Sequence, residues 1–148
     1  MIEPTFVTWI LVIFGAVTLL PLLGAQLVII LFPKGEKAKD ILIGKGENWR
    51  SKDHFRLALG AAWADWIILM PLFVFGSIGV IIGQSWGYAL WAAAGAISVY
   101  INLILWFTEK EYVYPSRGAL AYYTYYWGFF IIWGLAAIVY TVIRLIVL

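Results

Sequence analysis

Between Leu57 and Phe107 the chain carries one charged residue, Asp65, in 51 consecutive positions. A helix needs roughly 20 apolar residues to cross the hydrocarbon core of a bilayer, so this block is too long for one crossing and suits two. Its only polar break is Gly83-Gln84-Ser85-Trp86-Gly87, a sequence fitted to a tight turn. In lipid every backbone N–H and C=O must find a partner within the chain, and a helix provides all of them inside one segment.

Two more runs have the same character. Phe6 to Phe32 has no charge, and Ala119 to Leu148 has only Arg144, close enough to its end to reach the membrane surface. The chain is 64% hydrophobic and 12% charged, with a mean hydropathy of +0.93. A soluble domain is about half apolar and a quarter charged, and a small globule has too little interior to bury the difference. The expected fold is an all-α integral membrane protein, one domain over 1–148. It has four transmembrane helices, at about 6–32, 54–82, 86–107 and 118–147, in an up-down antiparallel bundle. Pro21 and Pro71 should kink the first two. The lead-in Met1–Pro4 lacks a basic segment, and the run behind it exceeds a signal peptide, so it reads as a retained span.

The polar stretch 33–53 and its flank hold seven of the ten basic residues: Lys34, Lys37, Lys39, Lys45, Arg50, Lys52 and Arg56. Gly35, Gly44 and Gly46 argue against a continuous helix there. Ile41-Leu42-Ile43, Trp49 and Phe55 are expected to dip into the headgroup region, and Asp53 to cap the following helix. Loops 33–56 and 108–118 together contain nine of the ten Lys and Arg, with Pro115 forbidding helix through the second. The positive-inside rule makes both loops cytoplasmic and both termini extracytoplasmic.

Asp65 is the centre of the functional reading. A carboxylate at this depth costs about 2.5–3.5 kcal/mol on insertion scales, so intramembrane acids are functional candidates by default. Helical spacing puts it on one face with Ala58, Ala61 and Ala62, a groove of small residues, while Trp63, Trp66, Met70 and Phe73 fall on a different face, where the bulky aromatics can meet lipid. Gln26, Asn102 and Thr124 occupy corresponding depths in the other helices, so the four side chains are expected to form one polar layer, with Tyr126 beside it. Arg56 and Arg117 stand at its rim. Such a site suits a proton or, with oxygen neighbours, a hard cation such as Na⁺. The plainer reading is a packing layer of interhelical hydrogen bonds, worth about 0.6 kcal/mol each.

Nine Trp, nine Tyr and nine Phe form the second signal. Trp9, Trp86 and Trp91 read as an outer aromatic belt, and Phe32, Trp49, Trp106, Tyr112 and Tyr114 as an inner one. Tyr122, Tyr126, Phe129 and Trp133 recur at helical spacing as a wall along one face. That wall reads as a lipid-facing or subunit-facing stripe, with a pocket for a flat lipophilic ligand as the rival.

Other chemistry is excluded or unsupported. With no cysteine there is no iron–sulfur cluster or thiolate site. One histidine, His54, cannot supply a bis-histidine haem, no mid-span lysine exists for retinal, and Gly44-Lys45-Gly46-Glu47 lacks nucleotide-loop spacing. No cofactor is indicated. Lys45, Arg50, Lys52, His54 and Arg56 read as interface residues near lipid headgroups. The acids interleaved with them disfavour nucleic acid. Expected partners are membrane lipids, with a homo-oligomer or larger membrane complex as further possibilities. Three functions follow in order: a protein binding or transporting a small or lipophilic ligand at Asp65; a non-catalytic subunit or assembly factor; and an intramembrane lipid- or isoprenoid-modifying enzyme.

Overall fold

A computed structural model of the chain describes residues 2–46, 48–110 and 123–146. The described residues are helical and turn, with no strand. Six α-helices occur: α1 (Phe6–Leu31), α2 (Glu36–Leu42), α3 (Lys52–Ala64), α4 (Met70–Ile81), α5 (Ser85–Lys110) and α6 (Tyr123–Ile146). A wide π-helical turn, Asp65–Leu69, joins α3 to α4 without a break. Among the described residues, four helical segments are long and apolar enough to cross a membrane: Phe6–Leu31, Lys52–Ile81, Ser85–Thr108 and Tyr126–Ile146.

Local chemistry explains where these helices begin. At α1, the Thr8 hydroxyl accepts from the Thr5 N–H at 3.0 Å, satisfying one of the donors a helix start leaves open. At α3 the cap is Ser51, whose hydroxyl accepts from the His54 N–H at 3.1 Å. The expected cap, Asp53, lies instead in the first turn, where its negative charge still favours the helix start. Between α4 and α5 the chain reverses at Gly83, whose φ of +71° is costly for any residue with a Cβ.

Glycines then decide how closely the helices approach. Gly79 of α4 and Gly87 of α5 meet backbone to backbone, and Trp91 closes over Gly76. Further along α5, Gly95 meets Gly134 of α6 in the same way. The α5–α6 contacts have a consistent order. The Thr141 hydroxyl donates to Tyr88 O at 3.3 Å, the Ser98 hydroxyl to Phe130 O at 3.1 Å, and Trp106 packs on Gly128. Residue numbers fall along α6 as they rise along α5.

The core is aromatic. Phe73, Trp91 and Trp133 stack edge to face, with Phe73–Trp133 centroids 5.4 Å apart and Trp91–Trp133 6.3 Å apart, over Gly15 of α1. A buried indole must place its N–H on an acceptor. Trp133 donates to Leu11 O at 2.9 Å, Trp91 to the Ser77 hydroxyl at 3.1 Å, and Trp66 to Leu23 O at 3.0 Å. This corrects three expectations. Trp91 is wholly buried rather than part of an outer belt. Phe73 is in the core rather than toward lipid. The wall on α6 does not hold together: Trp133 is buried while Phe129 is half exposed, and the inward stripe is Trp127, Phe130, Trp133 and Ala137. Spacing identifies residues that share a face, but not which face another helix covers. Trp9, Trp63 and Trp86 are exposed as expected.

The polar stretch after α1 is also folded. Ala38 of α2, Ile29 of α1 and Ala62 of α3 form a second buried cluster, with Leu42, Trp49 and Phe55 packed around it. Trp49 meets His54 and Phe55 edge-on, at 5.4 and 5.3 Å. Leu42, Ile43, Trp49 and Phe55 therefore turn toward the protein, and of the expected interfacial set Ile41 alone is exposed. The expected second loop, with Tyr112, Tyr114, Pro115 and Arg117, and Tyr122 of the wall lie outside the described residues, except for the end of α5.

Candidate functional site around Asp65 and Gln26

Asp65 stands at the junction of α3 and the π-helical turn, where its carbonyl accepts from the Met70 N–H five residues on. At the very next residue, Pro71 has no N–H to give, so a run of regular α-helical bonds cannot continue through this point. Widened turns of this kind are frequent at functional sites.

The Asp65 side chain is 5% exposed. Its Oδ2 accepts from Gln26 Nε2 of α1 at 2.6 Å, a short bond of the kind an acidic acceptor makes. Among the described residues Gln26 is the only side-chain partner of this carboxyl, and no lysine or arginine pairs with it. Arg56, expected at the rim, lies 3.9 Å from Asp53, with both side chains in the open. Gln26 is itself 6% exposed, and its Oε1 is buried with no hydrogen-bond partner. Beside the pair, Trp66 ties the π-helical turn to α1 through Leu23 O.

A small cavity of about 60 Å³ reaches Gln26. Its walls include Leu57 from α3, Ala58 and Ala61 of the face that helical spacing assigns to Asp65, and Trp127 from α6. Ile43, Trp49 and His54 line it on the side of the folded loop. A second hollow, about 300 Å³, lies on the outer side of Trp49 against Pro33, Lys34, Glu36 and Lys39. There Lys39 donates to Glu36 at 2.9 Å, which holds its ammonium above the usual lysine range.

The expected polar layer is thus realised in part. Gln26 and Asp65 meet. Asn102 is buried at 2% exposure, but its amide donates to Ser98 O of its own helix at 2.7 Å, and its Oδ1 is buried without a partner. The Tyr126 hydroxyl donates to Thr18 O at 2.7 Å, bracing α6 on α1 rather than meeting Asp65. The side chain of Thr124 lies outside the described residues. Lys45, Arg50, Lys52 and Arg56 are exposed on the loop side, and His54 is half-buried at the cavity wall.

Sequence reasoning missed a second polar cluster. The hydroxyls of Thr5 and Thr8 each lie 2.6 Å from the Tyr140 hydroxyl. Arg144 stacks over the Tyr140 ring and donates to Glu3 O, fastening the start of α1 to α6. The Thr5-x-x-Thr8 spacing was its visible signal. No cluster of three or more His, Asp or Glu that could hold a metal occurs among the described residues. Comparison with family models, curated proteins and solved structures returned no match.

Proposed function

We propose that this chain is an integral membrane protein that binds, and carries across the membrane, a proton or a small monovalent cation at Asp65. The observation that carries this reading is a buried carboxyl within a span-length helix whose side-chain partner, among the described residues, is a neutral amide. A purely structural hydrogen bond could be made by two amides at lower desolvation cost, whereas an acid is needed where a charge must come and go. The cavity beside Gln26 gives a small species room next to the pair and is far below the several hundred Å³ a drug-sized lipophilic ligand fills.

In this reading the four spans run up and down as an antiparallel bundle, bent at Pro21 and Pro71. The order of the α5–α6 contacts and the widened turn before Pro71 support it. The loop bearing Lys34 to Arg56 is cytoplasmic, with lipids as the immediate partners. The many large apolar side chains left exposed, Phe6, Val17, Tyr100 and Phe107 among them, suit a hydrocarbon solvent.

The test is flux. Purified protein in liposomes enclosing a pH-sensitive dye should dissipate an imposed proton or cation gradient, and Asp65→Asn should reduce that rate at least tenfold. Equal rates in the two proteins would refute the assignment.

A further inference from the structure

The cavity beside Gln26 has a chemical character of its own, which narrows what it can hold. With one Nε2 hydrogen committed to Asp65, the Gln26 amide keeps an acceptor, Oε1, which is buried and unpartnered. The Asp65 carboxyl is bonded to that amide through Nε2. Two indoles, Trp49 and Trp127, contribute π-systems, the His54 imidazole lies in the wall on the loop side, and the remaining walls are alanine, leucine and isoleucine side chains. Acceptor oxygen, neighbouring acid and aromatic rings all favour a cation that donates hydrogen bonds, and all disfavour an anion.

A hard metal ion is a poor fit. Such ions take about six or more oxygen ligands, and the polar residues lining this cavity are one amide, Gln26, and one imidazole, His54, among apolar and indole walls. An ammonium-type ion needs no such shell, because it tolerates aromatic neighbours and can give one N–H to a single strong acceptor. Size agrees. The cavity, about 60 Å³, has room for a few waters, which admits an ion of one or two heavy atoms.

We infer that the cavity lined by Gln26, Ala58, Ala61, Trp49 and Trp127 is a binding site for a small primary ammonium ion, ammonium or methylammonium, which donates to Gln26 Oε1 beside Asp65. This rests on Asp65 being a functional acid but extends it, since proton flux through Asp65 does not require the cavity to admit an ammonium ion.

The experiment uses the full chain in lipid nanodiscs. Its thermal unfolding is followed by tryptophan fluorescence as methylammonium chloride replaces sodium chloride at constant ionic strength, with tetramethylammonium as the oversized control. The expected result is a saturable rise in Tm with ammonium and methylammonium and none with tetramethylammonium. Ala61→Leu fills the cavity while keeping both polar side chains of the Gln26–Asp65 pair, and should weaken the apparent Kd at least tenfold. Gln26→Met should do the same. If Gln26→Met does not fold, Ala58→Leu takes its place as the second variant. No response to either ammonium ion, an equal response to all three, or an unchanged Kd in folded Ala61→Leu would overturn the assignment. Proton flux that persists in such a result, and is lost in Asp65→Asn, would leave the Asp65 reading intact and remove only the ammonium site.

Discussion

Gly95 and Gly134 face each other across the α5–α6 contact so closely that neither can carry a side chain. A Cβ on Gly95 would lie 2.7 Å from Gly134 O, and one on Gly134 would lie 2.6 Å from Gly95 O. Both obstacles are backbone, which cannot swing aside as a side-chain tip can. Gly95→Ala and Gly134→Ala should each lose about 1–3 kcal/mol, the usual range for overpacking. Gly24→Ala and Gly60→Ala have open space where the methyl would go and should lose nothing. Thermal unfolding of the four variants in one detergent separates the pairs, and equal Tm values would contradict this packing.

Gln26 and Asp65 should behave as a coupled unit. Removing the amide in Gln26→Met leaves a buried carboxyl without its partner, at a cost of about 1–3 kcal/mol, and more if the carboxyl is charged. Replacing both, as Gln26→Met with Asp65→Leu, removes the orphan and should recover part of the loss. A double-mutant cycle in denaturant measures this directly. Strict additivity of the two substitutions would mean that the 2.6 Å bond carries no coupling.

The indole bonds of the core give an asymmetric test. Ser77→Ala deletes the acceptor of the buried Trp91 N–H and should cost about 1–3 kcal/mol. Combining Ser77→Ala with Trp91→Phe removes the stranded donor, so the double variant should lose less than the sum of the singles. Trp133→Phe, by contrast, loses both a bond to Leu11 O and volume at the centre, and should be the most damaging of the three single substitutions to Tm.

Topology can be read chemically because the chain has no cysteine. Lys37 and Ser85 are both exposed, one on the basic loop and one at the α4–α5 turn. In intact cells a membrane-impermeant maleimide should label Ser85→Cys, and should reach Lys37→Cys only after permeabilisation. The reverse pattern would invert the proposed orientation and set aside the nine-to-one charge asymmetry.

The four spans were legible without coordinates because the signal for them is local. Each depends only on the length and polarity of its own run, which is why Phe6–Leu31 and Ser85–Lys110 emerge close to their expected limits. Asp65 and its small-residue face were legible for the same reason, since helical spacing alone relates Ala58 and Ala61 to it. Its partner was foreseeable as a matter of depth, and the bond to Gln26, 39 positions away, bears that out. Depth says nothing of azimuth, however, and Asn102 turned to Ser98 on its own helix. The same gap explains the aromatics. Trp91 and Trp133 are as apolar as Trp9 and Trp86, and a hydropathy pattern cannot separate them. Their burial follows from where Gly15, Gly76 and Gly134 let neighbouring helices close in, and from which carbonyls and hydroxyls lie within reach of an indole N–H. When lipid and core are equally apolar, hydrophobicity places a helix in the membrane, while shape and hydrogen bonding choose the side it turns to its neighbours.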